Sequence, residues 1–553
     1  MPSSRYSPIA RGRARCLMAA ISVLVLSCDS ERPQVDGATA AATTVLRRGL
    51  GGQPASLDPQ KAEDEFSITV LRDLHEQLTA SAPDGAVVPA AAESWSADPG
   101  GKVYTFRLRA GARWSNGEPV LARHFVAGLQ RAVDPATASG GADLLRPIGN
   151  APEILRGTLP PSRLGVRAVD DRVLEIALTR PLPYLPDILT NPVASPVYEP
   201  SPAGTENYAR PGSVVTNGPW VLAEFVPGNH LRLTRNPSYR EPEAVAFDEV
   251  RYEFVANENA EFDRFRAGAL DVTYGVPEQR FLELAGQPDS GLQHRALLGT
   301  SWFTLNTARG PLHDHPELRE ALSLTVDREA ITAHVARAGQ VPAYTLVPDG
   351  VWNYTPAVPD WHSLDAAARL TRARQLYAQA GYSAERPLRL RLLYNENQLV
   401  QRICVAVAAE WRRLLGVETE LVPMEFRAYL VARSDPAQWD VVRVGWTADY
   451  NDASSFLDTL AADSPQNFGR WADPRYTELL AAAATEADVA RRRELLQQAE
   501  RLMLQQHPVL PLYSYVARRL VGPGLQAPGL NPLNRSYSLY FRPAAGGGGG
   551  SGR

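Results

Sequence analysis

A cation, an anion and two aromatic residues lie close together in the stretch 443–458. Arg443 and Asp449 are six residues apart, and Trp446 and Tyr450 lie beside them. One positive and one negative side chain with aromatic neighbours suit a zwitterionic, partly apolar ligand. The alternative is a surface turn with an incidental ion pair, because ordinary exposed charges greatly outnumber functional ones.

The residues before Arg443 predict a strand that positions this stretch. Trp439-Asp440-Val441-Val442 is rich in β-branched and aromatic residues,. Upstream, the pattern predicts a parallel β-α-β unit with its strand, helix and strand at 388–392, 398–415 and 417–422. Arg443 would then end a strand, and Asp449 would lie in the loop after it. Ligands of open α/β sheets bind at this edge.

Other segments predict the rest of the framework. Tyr104, Phe106 and Leu108 alternate with polar residues, as in a half-buried strand,. Further strands are predicted at 44–50, 302–306 and 508–516. Further helices are predicted at 122–132, 262–270, 316–333 and 365–380.

The stretch Gly445-Trp446-Thr447-Ala448-Asp449-Tyr450-Asn451, followed by Ser455-Phe456-Leu457, resembles the signature loop of the bacterial oligopeptide-binding proteins. These are extracytoplasmic receptors of peptide ABC importers, in extracellular solute-binding protein family 5. Blocks such as 92–95, 114–120 and 216–218 extend the resemblance over about residues 46–543. It implies that Asp449 holds the α-ammonium of a peptide and that Arg443 meets its carboxylate.

The same resemblance implies further site residues. Arg433 corresponds to another basic site of the family, and Phe426 to a pocket-lining tryptophan. The remaining residues expected to line the pocket are Glu63, Glu65, Asn306, Trp446 and Tyr450. Gly299 and Thr447 occupy the places of a cysteine pair found in some members.

The resemblance also implies an α/β fold, the periplasmic-binding-protein clamp of type II, cluster C, with two lobes and an extra third subdomain. Lobe I would combine residues 46–75, 198–298 and 516–543. Subdomain II would span 76–197 and lobe III 299–515. The Gly-rich tail 544–553 cannot hold a fold,.

The amino terminus predicts export and lipidation. A basic segment precedes the apolar run 17–26, which has the length of a signal-peptide core,. Cys28 closes that run and resembles the lipidated cysteine of a bacterial lipobox, so residues 1–27 would be a lipoprotein signal peptide and 28–45 a flexible tether. The expected location is the periplasm, with a membrane anchor. A plain secretory signal with a chance cysteine is the alternative.

Charge and motifs argue against several other classes of protein. The 553 residues carry a formal charge of −4, and −8 without residues 1–27 (53 basic, 61 acidic), which disfavours a nucleic-acid partner,. No Gly-x-Ser-x-Gly elbow is present, and His75-Glu76-Gln77-Leu78-Thr79 lacks the second histidine of a zinc helix,. His313 and His315 more simply form a solvated turn than a metal site. We therefore expect no catalytic residues, metal or cofactor.

The sequence thus predicts a monomeric receptor that binds oligopeptides between its lobes and delivers them to the permease and ATPase of an ABC importer. A murein peptide or a non-peptide solute, such as haem or a nickel chelate, is the nearer alternative ligand. A surface hydrolase or a chaperone that uses the same cleft is the more distant alternative.

Overall fold

The computed structural model describes residues 43–198 and 205–544. Within these ranges the strands, in chain order, are β1 Val45–Leu50, β2 Thr79–Ser81, β3 Val87–Pro89, β4 Ala92–Ala97, β5 Val103–Leu108, β6 Val166–Ala168, β7 Val173–Ala177, β8 Trp220–Val226, β9 His230–Arg235, β10 Glu249–Phe254, β11 Leu292–Leu305, β12 Val341–Pro342, β13 Arg389–Asn395, β14 Glu418–Met424, β15 Val441–Thr447, β16 Val509–Leu520, β17 Leu525–Gln526 and β18 Arg542–Pro543.

Helices connect most of these strands. They are α1 Glu65–Leu74, α2 Ala122–Val133, α3 Ala151–Leu155, α4 Leu185–Ile188, α5 Glu258–Arg266, α6 Glu278–Ala285, α7 Pro311–Asp314, α8 Pro316–Leu324, α9 Arg328–Ala330, α10 Ala366–Gln379, α11 Gln398–Leu415, α12 Phe426–Ala432, α13 Ser454–Leu457, α14 Pro474–Thr485 and α15 Val489–Gln506. In the ranges described, none of them combines the length and the apolar character that crossing a membrane requires.

The predicted signal peptide, Cys28, nearly all of the tether and the Gly-rich tail beyond residue 544 lie outside the described residues. The predicted division of the rest into lobes stays a prediction. Three larger sheets give the described part its framework.

The first sheet has the order β1-β10-β9-β8. It joins the start of the described chain to residues more than 150 positions later, and β1 runs parallel to β10 while the other pairs are antiparallel. Leu46 and Leu50 from β1, Trp220 from β8 and Leu231 from β9 are fully buried on it. The strand predicted at 44–50 is therefore confirmed as β1.

The second sheet, β4-β5-β7-β6, is antiparallel throughout. Tyr104, Phe106 and Leu108 are buried while Arg107 between them is exposed, which confirms the predicted half-buried strand. Phe125 of α2 is fully buried in the same core. This sheet and α2 form a core of their own, which contacts Tyr450 of the loop after β15 through Tyr184, the residue before α4.

The third sheet has six strands in the order β12-β16-β11-β15-β13-β14. Strand β13 pairs in parallel with both β14 and β15, whereas β11 pairs antiparallel with β15 and β16. The predicted unit β13-α11-β14 is confirmed. Helix α11 begins after Asn397, whose side chain accepts from the Val400 amide, and ends at Gly416 in the left-handed region, with φ of 80°,.

Three predicted strands are wrong in their bounds. Arg443 does not end its strand but is the third residue of β15, which continues to Thr447. Strand pairing explains the extension, because Gly299 to Leu305 of β11 pairs with every residue of β15. The predicted short strands at 302–306 and 508–516 likewise belong to the longer β11 and β16, which pair with each other beyond the predicted bounds.

The helix predicted at 316–333 is also wrong, because α8 stops at Leu324. The guanidinium of the fully buried Arg328 takes the carbonyls of Ser323 and Val326, which a continuous helix would use internally. Asp327 then caps the next turn by accepting from the Ala330 amide. The helix predicted at 262–270 instead begins and ends four residues earlier, as α5.

Candidate functional site

Asp449 lies in the loop that follows β15, two residues after Thr447. Its side chain is exposed, and no donor or cation bonds its carboxylate in the part of the chain that the structure describes. Its backbone amide donates to Ser455 Oγ at 3.2 Å. Desolvation raises the pKa of Asp449, and the charge of Arg535 lowers it,. The carboxylate is therefore free to accept a cationic group.

Arg443 is half-buried and bonds only neutral groups. Its Nη2 donates to the hydroxyl of Tyr515 at 2.7 Å, and its Nη1 lies 3.5 Å from Asn395 Oδ1. Its Nε is buried without a partner. Across residues 43–198 and 205–544, no carboxylate forms an ion pair with it. A guanidinium in such a place favours an anion that arrives from outside.

Tyr515 of β16 is a site residue that sequence reasoning missed. Its ring lies across two glycines of neighbouring strands. An added Cβ would come within 2.8 Å of the ring at Gly299 and within 1.9 Å of the hydroxyl at Gly445. Gly299 pairs directly with Thr447. The alternation of Tyr513 and Tyr515 in a predicted strand was the available signal, but neither glycine pointed to the tyrosine.

Arg433 lies at the end of α12 and, like Arg443, contacts Tyr429. Its guanidinium carbon is 5.5 Å from the Tyr429 ring centroid and 4.6 Å from that of Phe468. Tyr429 in turn donates its hydroxyl hydrogen to the carbonyl of Arg443. Tyr429 thus links the two predicted carboxylate-binding arginines, and cation–π contacts hold Arg433 in place.

The aromatic residues predicted to line the pocket have different surroundings. Phe426, at the start of α12, is 55% exposed and stacks on Tyr429 with ring centroids 6.3 Å apart. Trp446 is half-buried, and its Nε1 lies 3.4 Å from Ser455 Oγ. Tyr450 stacks flat on Tyr184, the residue before α4, with centroids 4.3 Å apart. Phe426 is therefore the aromatic that remains most open to a ligand.

The acidic pair from the first part of the chain lies at the start of α1. Glu65 Oε1 is 3.9 Å from Arg72 Nη1, and desolvation raises the pKa of Glu65 while Arg72 and Arg535 lower it. Glu63 lies against Gly140, where an added Cβ would come within 1.9 Å of its Oε1. The Glu63 side chain thus fills the space beside Gly140.

Asn306 is placed apart from these residues, and its side chain serves the backbone. It is fully buried, its Nδ2 donates to the carbonyls of Pro436 and Trp439, and its Oδ1 accepts from the amides of Ala308 and Arg309. No polar atom of the side chain is left for a ligand, so we do not include it in the site.

A cavity adjoins the predicted site but does not contain its two central charges. It is lined by residues of several segments, among them Glu65, Tyr274, Arg519 and Arg535. Neither Asp449 nor Arg443 lines it. We therefore define the site by the contacts of the two charges rather than by this cavity.

One thiol and three imidazoles that catalysis or metal binding could use are either buried or lie beside a carboxylate. Burial raises the pKa of the Cys404 thiol to about 12, and burial lowers the pKa of His75 to about 4,. His313 and His315 each lie beside a carboxylate, of Asp314 and Glu317 respectively. In the described ranges no three histidine, cysteine or acidic residues come together as a metal site.

Known proteins resemble this chain over most of its length. A family model described as bacterial extracellular solute-binding proteins, family 5 middle, matches residues 86–468. The periplasmic oligopeptide-binding protein OppA of Escherichia coli (strain K12) is 34% identical over 540 residues, which cover 97% of this chain and 98% of OppA. The probable deoxycholate-binding periplasmic protein YgiS of the same strain is 36% identical over 504 residues, covering 90% and 94%.

A solved structure extends the likeness to three dimensions. The unliganded open form of the periplasmic murein tripeptide binding protein MppA, of Escherichia coli, superposes with a TM-score of 0.82 at 34% identity. The match covers 91% of this chain and 98% of that one. The predicted α/β fold, a type II, cluster C clamp of two lobes with a third subdomain, is confirmed. The chain belongs to the bacterial extracellular solute-binding proteins of family 5.

Proposed function

We propose that this protein is an extracytoplasmic receptor that binds oligopeptides and delivers them to an ABC importer. The observation that supports this most is the pair of unpartnered charges on one strand and its loop. Asp449 offers a carboxylate with no cation, and Arg443 offers a guanidinium with no carboxylate, in the described part of the chain. A peptide supplies the opposite charge to each.

The spacing of the two charges in the sequence allows a peptide of a few residues. Six residues of extended chain span at most about 20 Å, at about 3.3 Å per residue. An extended peptide covers roughly 3.5 Å per residue, so a ligand of a few residues can reach from one charge to the other. In the proposed complex Asp449 binds the α-ammonium, and Arg443 and Arg433 bind the carboxylate.

The proposed ligand binds as an added strand whose main chain forms the hydrogen bonds, so that many side chains are accepted. Phe426, Trp446, Tyr450, Glu63 and Glu65 complete the proposed binding surface. The protein acts as a monomer and has no catalytic role. Other polypeptides supply the permease and the ATPase, and lipid on Cys28 anchors the receptor at the periplasmic side of a membrane.

A non-peptide solute is the second candidate ligand. The similarity to the probable deoxycholate-binding protein YgiS favours it, because deoxycholate carries a carboxylate and a large apolar body. Such a ligand would use Arg443 and the aromatic residues but would leave Asp449 without a partner. The murein tripeptide binding protein suggests a murein peptide as a third candidate.

Native mass spectrometry of the protein purified from a peptide-rich lysate tests these candidates. A mixture of short peptides of similar length and varied sequence, released on denaturation, is the expected result. A single steroid-like mass, or an empty protein that ignores added peptides, would contradict the oligopeptide receptor.

A further inference from the structure

A buried ion pair from two distant segments holds the loop that carries Asp449. Asp187 of α4 and Arg535, which follows β17, bond through their side chains and are 4% and 6% exposed. Arg535 Nη2 also donates to the carbonyl of Asp449 at 3.2 Å. Asp187 Oδ2 accepts from the amide of Asn451. The pair therefore holds the loop on both sides of Tyr450.

Both partners of this pair are fixed to the same short strand. Thr79 of β2 donates its hydroxyl hydrogen to the carbonyl of Pro186, beside Asp187. Asn531 donates from Nδ2 to Ser81 Oγ of β2 at 2.9 Å, and its Oδ1 lies 3.4 Å from the amide nitrogen of Arg535. Strand β2 thus fixes the distance between the two partners before a ligand arrives.

Ring stacking and a second ion pair restrict the same loop. Tyr450 stacks on Tyr184, and the guanidinium of Arg492 lies 5.3 Å from the Tyr184 ring centroid. Arg492 forms two hydrogen bonds with the buried carboxylate of Asp452. The carboxylate of Asp449, in the same loop, takes no part in these contacts.

We infer that Asp187 and Arg535 are positioning residues for Asp449, which hold its carboxylate where a ligand ammonium binds. The inference rests on the proposed function. A loop that is ordered beforehand spares the ligand the entropy of ordering it, which increases affinity. Asp187 also balances the charge of Arg535, so the incoming ammonium does not meet an uncompensated cation. The lowering effect of Arg535 on the Asp449 pKa supports the same role.

The test compares peptides that differ only at the amino end. Affinities of tri-, tetra- and penta-alanine and of their N-acetylated forms are measured by calorimetry with the full chain. For Asp187→Asn and for Arg535→Lys, we expect the preference for the free amine to fall about tenfold, the scale of coupling within one network. General damage to the fold would weaken both peptide forms equally and leave their ratio unchanged.

Two further variants separate positioning from stability. Asp58→Asn breaks another ion pair, between the buried Asp58 and the partly buried Arg131, which does not touch the loop, and it should leave the preference unchanged. Asp449→Asn should abolish the preference for the free amine. The double variant with Asp187→Asn should show the same ratio of affinities as Asp449→Asn alone. If Asp187→Asn fails to fold, Arg535→Lys, which keeps the charge, provides the same comparison.

The outcomes distinguish the two proposals. If Asp449→Asn abolishes the preference while Asp187→Asn and Arg535→Lys leave it intact, the positioning role is wrong and the proposed function stands. If the wild-type protein shows no preference, or binds none of these peptides, both proposals are wrong.

Discussion

At the scale of single residues, the described chain leaves two side chains of opposite charge, Asp449 and Arg443, without a counter-ion. Asp449 is exposed and unpartnered in the described chain, whereas Arg443 is half-buried among a phenol and an amide. A partly buried charge such as that of Arg443 is costly without a counter-ion, and an incoming carboxylate offsets that cost. Each residue is therefore suited to one end of a zwitterionic ligand.

Replacement of Arg443 by methionine tests the carboxylate end. We expect Arg443→Met to weaken binding of tetra-alanine by about 2 kcal/mol or more, because the peptide carboxylate loses its charged partner. Tetra-alanine amide should lose much less. Calorimetry measures both, and Arg412→Met, which removes an exposed arginine of α11, is the control. Equal losses for acid and amide would contradict the assignment.

The residues that a local motif contains were predictable, and those that the fold brings together were not. Asp449 and Arg443 stand in one short stretch of sequence. Asp187 and Arg535 are 348 residues apart, and neither has a local pattern that announces a buried pair. Tyr515 was within a predicted strand, but its role depends on glycines of two other strands.

At the scale of elements, three adjacent strands build the arginine site. Strand β15 carries Arg443 and Gly445, β11 carries Gly299, and β16 carries Tyr515, whose ring covers both glycines. The absence of side chains at the two glycines lets the phenol approach the guanidinium. Gly445 and Tyr515 therefore form one structural unit with Arg443.

Gly445→Ala tests this unit. The new Cβ would lie 1.9 Å from the Tyr515 hydroxyl, so we expect a loss of about 1–3 kcal/mol in the free energy of unfolding. Adding Tyr515→Phe removes the clashing oxygen and should restore part of the loss. Denaturant unfolding measures both variants. Gly111→Ala, where nothing lies within 4 Å of the new Cβ, should change stability by less than about 1 kcal/mol. A double variant no more stable than Gly445→Ala would contradict the clash.

Helix α15 carries a buried carboxylate, Glu500, that we expect to make the free energy of unfolding depend on pH. Glu500 accepts from the amides of Val347 and Ala357 and from the Tyr354 hydroxyl, and burial raises its pKa from 4.5 to about 7. Between these values the unfolded chain loses the proton first. The stabilisation from Glu500 is therefore fully present below pH 4.5 and is lost as the pH rises to about 7.

Glu500→Gln should flatten that part of the pH profile. The contribution of Glu500 amounts to about 3 kcal/mol at most, from the shift in its pKa. Urea unfolding at several pH values between 4.5 and 7.5 measures the profile. The contribution of Glu500 is the difference between the unfolding free energies of wild type and variant at each pH. This difference is needed because burial also raises the pKa of Glu261 to about 7, and Glu261 is present in both proteins. Parallel profiles would show that Glu500 does not titrate in this range.

Elements with strong local signals were predicted closely. The helix predicted at 398–415 has the observed bounds of α11, because an asparagine cap and a terminal glycine mark both ends. The prediction of one helix over 316–333 was wrong because the buried Arg328 binds backbone carbonyls that a continuous helix would use for its own hydrogen bonds. Apolar periodicity does not reveal that competition, which depends on tertiary burial.

At the scale of the whole molecule, the fold resembles that of MppA in its unliganded open form, with a TM-score of 0.82. A ligand that bonds Asp449 and Arg443 and also contacts Glu63 and Glu65 would join surfaces of different parts of the chain. Binding should therefore favour a more closed conformation, as in hinge closure.

Small-angle scattering tests this closure. We expect saturating tetra-alanine to reduce the radius of gyration. The same peptide, at about 100 times its dissociation constant, should stabilise the fold by about 2.7 kcal/mol, which a thermal melt detects. The Asp449→Asn protein at equal peptide concentration is the control. An unchanged radius of gyration with a stabilised fold would indicate binding without closure.

The most direct test of the central claim is the affinity of tetra-alanine and of N-acetyl-tetra-alanine for the wild-type protein and for Asp449→Asn. If Asp449 binds the α-ammonium, the wild-type protein should prefer the free amine by about 2 kcal/mol or more, and the variant should bind both peptides equally weakly. A wild-type protein that binds the two peptides equally well would contradict the role of Asp449.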